Sequence, residues 1–151
     1  MTISVKRTDS ESDEFIQLVA LLDTDLAKRN GEEQSFYKQF NKLDLIRNVV
    51  VVSDDSSPVG CGAIKAFGAD TMEVKRMFTL SDQRGKGIAS LVLKELEQWA
   101  EELGCKKLIL ETGIKQVEAI ALYQKNSYTR IPNYGQYIGV ENSVCFEKIL
   151  K

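Results

Sequence analysis

A chain of 151 residues, 43% hydrophobic and 28% charged, is long enough to bury one core and too short for two, so one domain over residues 1–151 is expected. Its net charge of −2 lacks the cationic excess that neutralising a phosphate backbone requires, which excludes a nucleic-acid partner. No apolar run approaches the ~18 residues of a membrane span and the first residues have no signal-peptide core, so no membrane partner and a cytoplasmic location are expected.

Residues 2–7 read as a strand. Ser10 or Ser12 caps a helix whose apolar positions Phe15, Leu18, Val19, Leu22 and Leu26 recur at helical spacing, and Lys28, Arg29 and Gly31 mark its end. A second short helix is expected over 33–43. The run NVVVVS at 48–53 is a strand closed by the turn DDSSP, and 59–67 and 71–79 form an antiparallel pair about Gly68-Ala69-Asp70. After SDQRGKG, the stripe Ile88, Leu91, Val92, Leu96, Trp99 and Leu103 marks a helix with Gly104 at its C′ position. Residues 107–111 (KLILE) make a buried strand, 116–126 a helix around Ala119, Leu122 and Tyr123, and strands follow near 127–131 and 143–149. No linker or repeat divides the chain, and this order implies a mixed sheet with helices on both faces.

The chain has no histidine, which removes Ser-His and Cys-His nucleophile pairs and the commonest metal ligand together. No metal is expected, and any proton transfer must use carboxylates or phenols. Cys61, Cys105 and Cys145 are odd in number and widely spaced, and read as buried, reduced thiols.

Chemistry concentrates at the junction Arg84-Gly85-Lys86-Gly87-Ile88-Ala89. Two glycines let the backbone come close to a ligand, and the amides that open the following helix point outward without partners. Such a junction binds anions. A P-loop would need Ser or Thr after GK, and a dinucleotide fingerprint would need glycine or alanine where Ser90 stands, so neither fits.

The stretch from Glu73 to Ala89 (EVKRMFTLSDQRGKGIA) resembles the central motif of the GNAT acetyltransferases, with Arg84, Gly87 and Ala89 supplying its signature. Residues 118–128 (EAIALYQKNSY) are similar to the family's second motif at Ala119, Leu122, Tyr123 and Tyr128. The resemblance implies an α/β (α+β) fold whose mixed, mostly antiparallel central sheet has six to seven strands and helices on both faces. It also implies an N-acetyltransferase with acetyl-coenzyme A as co-substrate. The amides of Arg84, Gly85, Lys86, Gly87, Ile88 and Ala89 would hold the pyrophosphate. The backbone of Met77, Phe78 and Thr79 would pair with the pantetheine arm, and Gln116 would touch the coenzyme where many relatives carry asparagine. Ser127 stands where relatives carry glycine, and Asn126 is expected to supply the left-handed conformation there.

By the same resemblance Tyr123 protonates the departing thiolate, and Glu73 is the general base for the attacking amine; Glu111 is either its rival or a residue that only binds the acceptor. The acceptor is a small molecule or peptide amine, bound with Arg76 and with Tyr134, Tyr137 and Asn142 of an aromatic, lid-like connection. A second copy of the chain, as a homodimer, is a further expected partner. The alternative is a non-catalytic acyl-CoA-binding sensor or interaction module.

Overall fold

The computed structural model describes residues 2–30 and 46–150. In chain order these form β1 (Ile3–Thr8), α1 (Asp13–Asn30), β2 (Asn48–Asp54), β3 (Ser57–Gly68), β4 (Thr71–Thr79), α2 (Ile88–Glu102), β5 (Lys107–Gly113), α3 (Val117–Lys125), β6 (Thr129–Ile131) and β7 (Ser143–Ile149). One sheet holds all seven strands in the order β1-β2-β3-β4-β5-β7-β6. Neighbours run antiparallel except β4 and β5, which are parallel. The expected helix over 33–43 lies outside the described residues, as do the side chains of Leu26, Lys28 and Arg29 and all of Gly31. Among the described residues no helix is long and apolar enough to cross a membrane.

The valine run of β2 shows why the sheet is covered twice. Val50 and Val52 pack with α2, while Val49 and Val51 pack with Phe15, Leu18 and Val19 of α1. A strand apolar at every position suits burial on both faces rather than one. The α2 stripe buries Ile88, Val92, Leu93, Leu96 and Ala100, and each large aliphatic withdrawn from water contributes about 1.5–3 kcal/mol. Tyr123 of α3 belongs to the α2 cluster. Arg7 fastens β1 to α2, donating to Glu95 at 2.6 Å and to Glu102 at 2.7 and 2.9 Å.

Local signals account for the helix ends. Ser12 caps α1, accepting from the Phe15 amide at 3.3 Å. Ser10 instead exchanges hydrogen bonds with the backbone of Ile46. Gly104 sits at φ +86 and the Cys105 amide reaches back to the Ala100 carbonyl at 2.9 Å, as a helix closed by glycine at C′ does. One expectation is corrected: Asn126 keeps φ −92, and Ser127 itself takes the left-handed conformation at φ +72. The Asn126 side chain is engaged elsewhere, donating to the Leu122 carbonyl and to Ser90 Oγ.

Two irregularities of β4 position the site. Its ladder with β5 has only the pairs Thr71 with Lys107, Met72 with Leu108 and Glu73 with Ile109, although β4 continues to Thr79 and β5 to Gly113. On the other side, the β3 register slips so that Gly62 faces two residues, Arg76 and Met77. Such a bulge shifts alternation by one. Met72 and Val74 face the α2 cluster, but beyond the bulge Met77 joins them and Arg76 reaches Asp23 of α1.

A Cβ at Gly62 would lie 2.4 Å from Met77 Sδ and 2.8 Å from Val92 Cγ1. Gly62→Ala is therefore expected to lower stability by about 1–3 kcal/mol. The check is a fall of the urea midpoint at unchanged slope.

Candidate active site

A cavity of about 130 Å³ lies where β4 and β5 part. Its wall brings together Glu73, Arg76 and Met77 of β4, Glu111 of β5, Gln116 at the cap of α3, Tyr123 of α3 and Tyr137 of the β6–β7 connection. All seven were singled out in the sequence. Leu22 from α1, with Val74, Lys75, Thr112, Gly113 and Ala119, completes the lining.

The two carboxylates have different surroundings. Glu73 is 7% exposed; its Oε2 accepts from the Tyr134 hydroxyl at 2.5 Å, and Lys75 Nζ stands 3.7 Å from its Oε1. Glu111 accepts from Ser143 Oγ at 2.7 Å. Burial pushes the Glu111 carboxyl up to about 7 and the charge of Glu73 adds to this, while the Ser143 hydrogen bond and Lys75 oppose it. Tyr123, 5% exposed, has its phenol raised first by burial and then by the charge of Glu111. It therefore keeps its proton at neutral pH. Tyr137 is raised in the same way, burial again leading, with Glu111 and Glu73 contributing.

Arg76 differs from an ordinary strand arginine. Its side chain is 2% exposed, its φ is +60, and its Nη1 donates to Asp23 Oδ1 at 3.1 Å.

The glycine junction lies beyond the far end of β4. Phe78, Thr79 and residues 84–89 are outside the cavity lining, and a single 3-10 turn, Ser81–Gln83, links β4 to the junction. Gly85 and Gly87 hold φ +80 and +81, and a Cβ added at either would meet nothing within 4 Å among the described residues. Glycine is thus demanded by backbone conformation rather than by crowding from those residues. The amides of Gly85, Lys86 and Gly87 make no hydrogen bond among the described residues. Ile88 buries its side chain beneath the opening turn of α2, and Ala89 follows it. Arg84 turns back, donating from Nε to the Thr79 carbonyl at 3.1 Å, with Asp25 3.8 Å from its Nη2.

The connection after β6 is pinned against the sheet. Asn133 Nδ2 bonds the carbonyls of Tyr137 and Val140 at 3.1 and 3.0 Å, and Tyr134 packs edge-on against Phe67 and Tyr137. Tyr134 thus reaches the cleft through Glu73, and Tyr137 directly. Asn142 is not part of the lining; its carbonyl accepts from the Ile114 amide at 2.8 Å. Sequence reasoning missed Lys75, which strand alternation places on the face of Glu73. It also missed Ser143, which comes close to Glu111 only through the β5–β7 register.

The sequence model of the acetyltransferase (GNAT) family matches residues 15–128. The chain is 32% identical to a protein named IAA acetyltransferase from Azospirillum brasilense, over 98% of both chains. Among solved structures, a Klebsiella pneumoniae protein assigned as an acyl-CoA N-acyltransferase matches at TM-score 0.82 and 29% identity, over 99% of both chains. PaiA N-acetyltransferase from Thermoplasma acidophilum, crystallised with coenzyme A, has the same fold, at TM-score 0.73, 17% identity and 99% coverage of both chains.

The raised carboxyl of Glu111 has a consequence for stability. The folded state holds this proton more tightly than the unfolded chain, whose carboxyl titrates near 4.5, so the group costs stability progressively as pH rises from about 4.5 to about 7. Relative to the parent, Glu111→Gln is expected to gain up to about 3 kcal/mol over that window and hold the gain above it. Urea midpoints of both proteins at a series of pH values check this.

Proposed function

Because the chain belongs to the GNAT acetyltransferase family and is an acyltransferase, we propose that it transfers an acetyl group from acetyl-coenzyme A to a primary amine. The acceptor, a small molecule or a peptide, attacks directly in a ternary complex. One observation carries this reading: a single strand, β4, leads from a cleft lined by two carboxylates and a buried phenol, through one 3-10 turn, to a glycine junction whose amides make no hydrogen bond among the described residues.

The junction fits a diphosphate. The Gly85, Lys86 and Gly87 amides, with the opening turn of α2 at Ile88 and Ala89, favour negative charge, and Lys86 and Arg84 add cationic side chains. Beyond Glu73 the β5-facing edge of β4 has no strand partner among the described residues, which suits an extended arm laid along Met77, Phe78 and Thr79 as an added strand. Gln116 borders the cleft where that arm would end. The co-substrate supplies a thioester, whose carbonyl carbon accepts the nitrogen and whose sulfur leaves.

The chain's own groups then handle two protons. The nitrogen–carbon bond forms as the carbon–sulfur bond breaks; the amine proton passes to a carboxylate, and the sulfur receives one from Tyr123. Glu111 takes the first role in this reading rather than Glu73, since a carboxyl pushed up to about 7 is matched to accepting a proton near neutrality. Glu73 already accepts from Tyr134, and its charge keeps Glu111 basic. A phenol that retains its proton at neutral pH is suited to Tyr123's donation.

Tyr123→Phe is expected to lower amine-dependent thiol release by about 10²-fold or more while coenzyme A still raises the melting temperature. Release at the parent rate would exclude the phenol from catalysis, and calorimetry without heat on adding acetyl-coenzyme A would remove the co-substrate. The parent's kcat should rise with pH through about 7, the ionised Glu111 being the active form. In Glu111→Gln that rise should disappear from the pH–rate profile.

A further inference from the structure

We propose that Ser143 is a positioning residue for proton acceptance: its hydroxyl holds Oε2 of Glu111 and so presents Oε1 to the amine in the cleft. The inference rests on the acetyl-transfer reading and adds a residue that acts on the reaction through another.

Sheet geometry brings the two side chains together. In the β5–β7 register Glu111 is opposite Cys145 and Gly113 is opposite Ser143. Cross-strand partners share a face, as do residues two apart on one strand, so Ser143 is the diagonal neighbour of Glu111. Its direct partner is a glycine, which puts no side chain beside it. The Ser143 hydroxyl donates to Glu111 Oε2 at 2.7 Å, the length of a hydrogen bond to an ionised oxygen. Ser143 is 3% exposed, which shields the bond from bulk water. The backbone around it is tied on each side: its own amide donates to the Val140 carbonyl at 3.1 Å, and the Asn142 carbonyl accepts from the Ile114 amide at 2.8 Å. Asn133 in turn bonds the Val140 carbonyl. A donor held in this way orients a carboxylate, which when ionised can only accept. The other acid is treated alike, since Tyr134 from the same connection donates to Glu73 Oε2 at 2.5 Å.

The same bond acts on the proton that Glu111 exchanges. Glu73 and Lys75 of β4 influence that proton in opposite senses, and Arg76 shares the cleft wall. Tyr123 of α3, Tyr137 of the β6–β7 connection and Cys145 of β7 each feel the charge of Glu111. Ser143 is the neutral donor in direct contact with the carboxyl, and its bond favours the ionised form against burial. Loss of the hydroxyl therefore raises the pH at which Glu111 gives up its proton.

The test is the pH–rate profile of amine-dependent thiol release by the full chain. In Ser143→Ala the rise of kcat should move up from about 7 by about half to one unit, so that kcat at pH 6 falls by about three- to ten-fold. Ser143→Thr keeps the donor and should hold the parent midpoint. In the Glu111→Gln background, Ser143→Ala should change the rate no further, because its effect passes through Glu111. The proposal is overturned if the midpoint of Ser143→Ala stays at the parent value, if Ser143→Thr moves it as far, or if Ser143→Ala costs as much rate without Glu111 as with it. Urea midpoints over the same pH series read the Glu111 proton without turnover. Relative to its own Glu111→Gln derivative, Ser143→Ala should go on losing stability to a higher pH than the parent does, and an unshifted window also overturns the proposal. Failure of the acetyl-transfer reading would look different: no amine would release thiol, while the shift in the stability window would remain.

Discussion

The parting of β4 from β5 after three residue pairs is the constraint on which the rest of this molecule depends. A continuous parallel ladder would bury the facing edges of both strands against each other. By separating, the strands leave two edges and a wedge of space in the middle of the sheet, where the backbone is held from both faces by α1 and α2. Hydrogen bonding on the outer sides keeps each strand in place: β4 is registered to β3 and β5 to β7 along most of their lengths. The cleft is therefore framed by rigid elements, which is the condition for holding reacting groups in fixed geometry.

The bulge opposite Gly62 is the second half of the same device. It changes which face β4 presents just beyond the split, so that Met77 fills the α2 core and Arg76 faces α1. The close approach of Met77 and α2 to Gly62 leaves no room for a side chain there. One small residue on β3 thus sets the direction of a charged group on β4, and burial of that group converts a surface charge into a feature of the cleft.

Electrostatics then differentiate two carboxylates that look alike in sequence. Glu73 has a phenol and an ammonium beside it, and Glu111 has a hydroxyl and a neighbouring negative charge. Burial acts on Glu111 through the low polarity of its surroundings, and the proximity of Glu73 adds to it. The same burial holds Tyr123 in its protonated form. A carboxyl whose proton affinity is raised and a phenol that keeps its proton thus line one small cavity, each set by environment rather than by residue type.

The order of strands and helices, the double covering that this order implies and the glycine junction before α2 were legible from the sequence. Periodicity, β-branched runs and glycine positions act over a few residues, and the chain spells them out locally. Tyr123, Glu73 and Glu111 could also be named, the first two through a family motif and the last through its place at a strand end. Tertiary structure alone decided that Ser127 rather than Asn126 takes the left-handed turn, that burial raises the Glu111 carboxyl, and that Arg76 is buried against α1. Each of these depends on a register, a bulge or a desolvated neighbour supplied by residues far away in the chain. Local pattern carries secondary structure, whereas charge state and side-chain direction are set by what folding brings within a few ångströms.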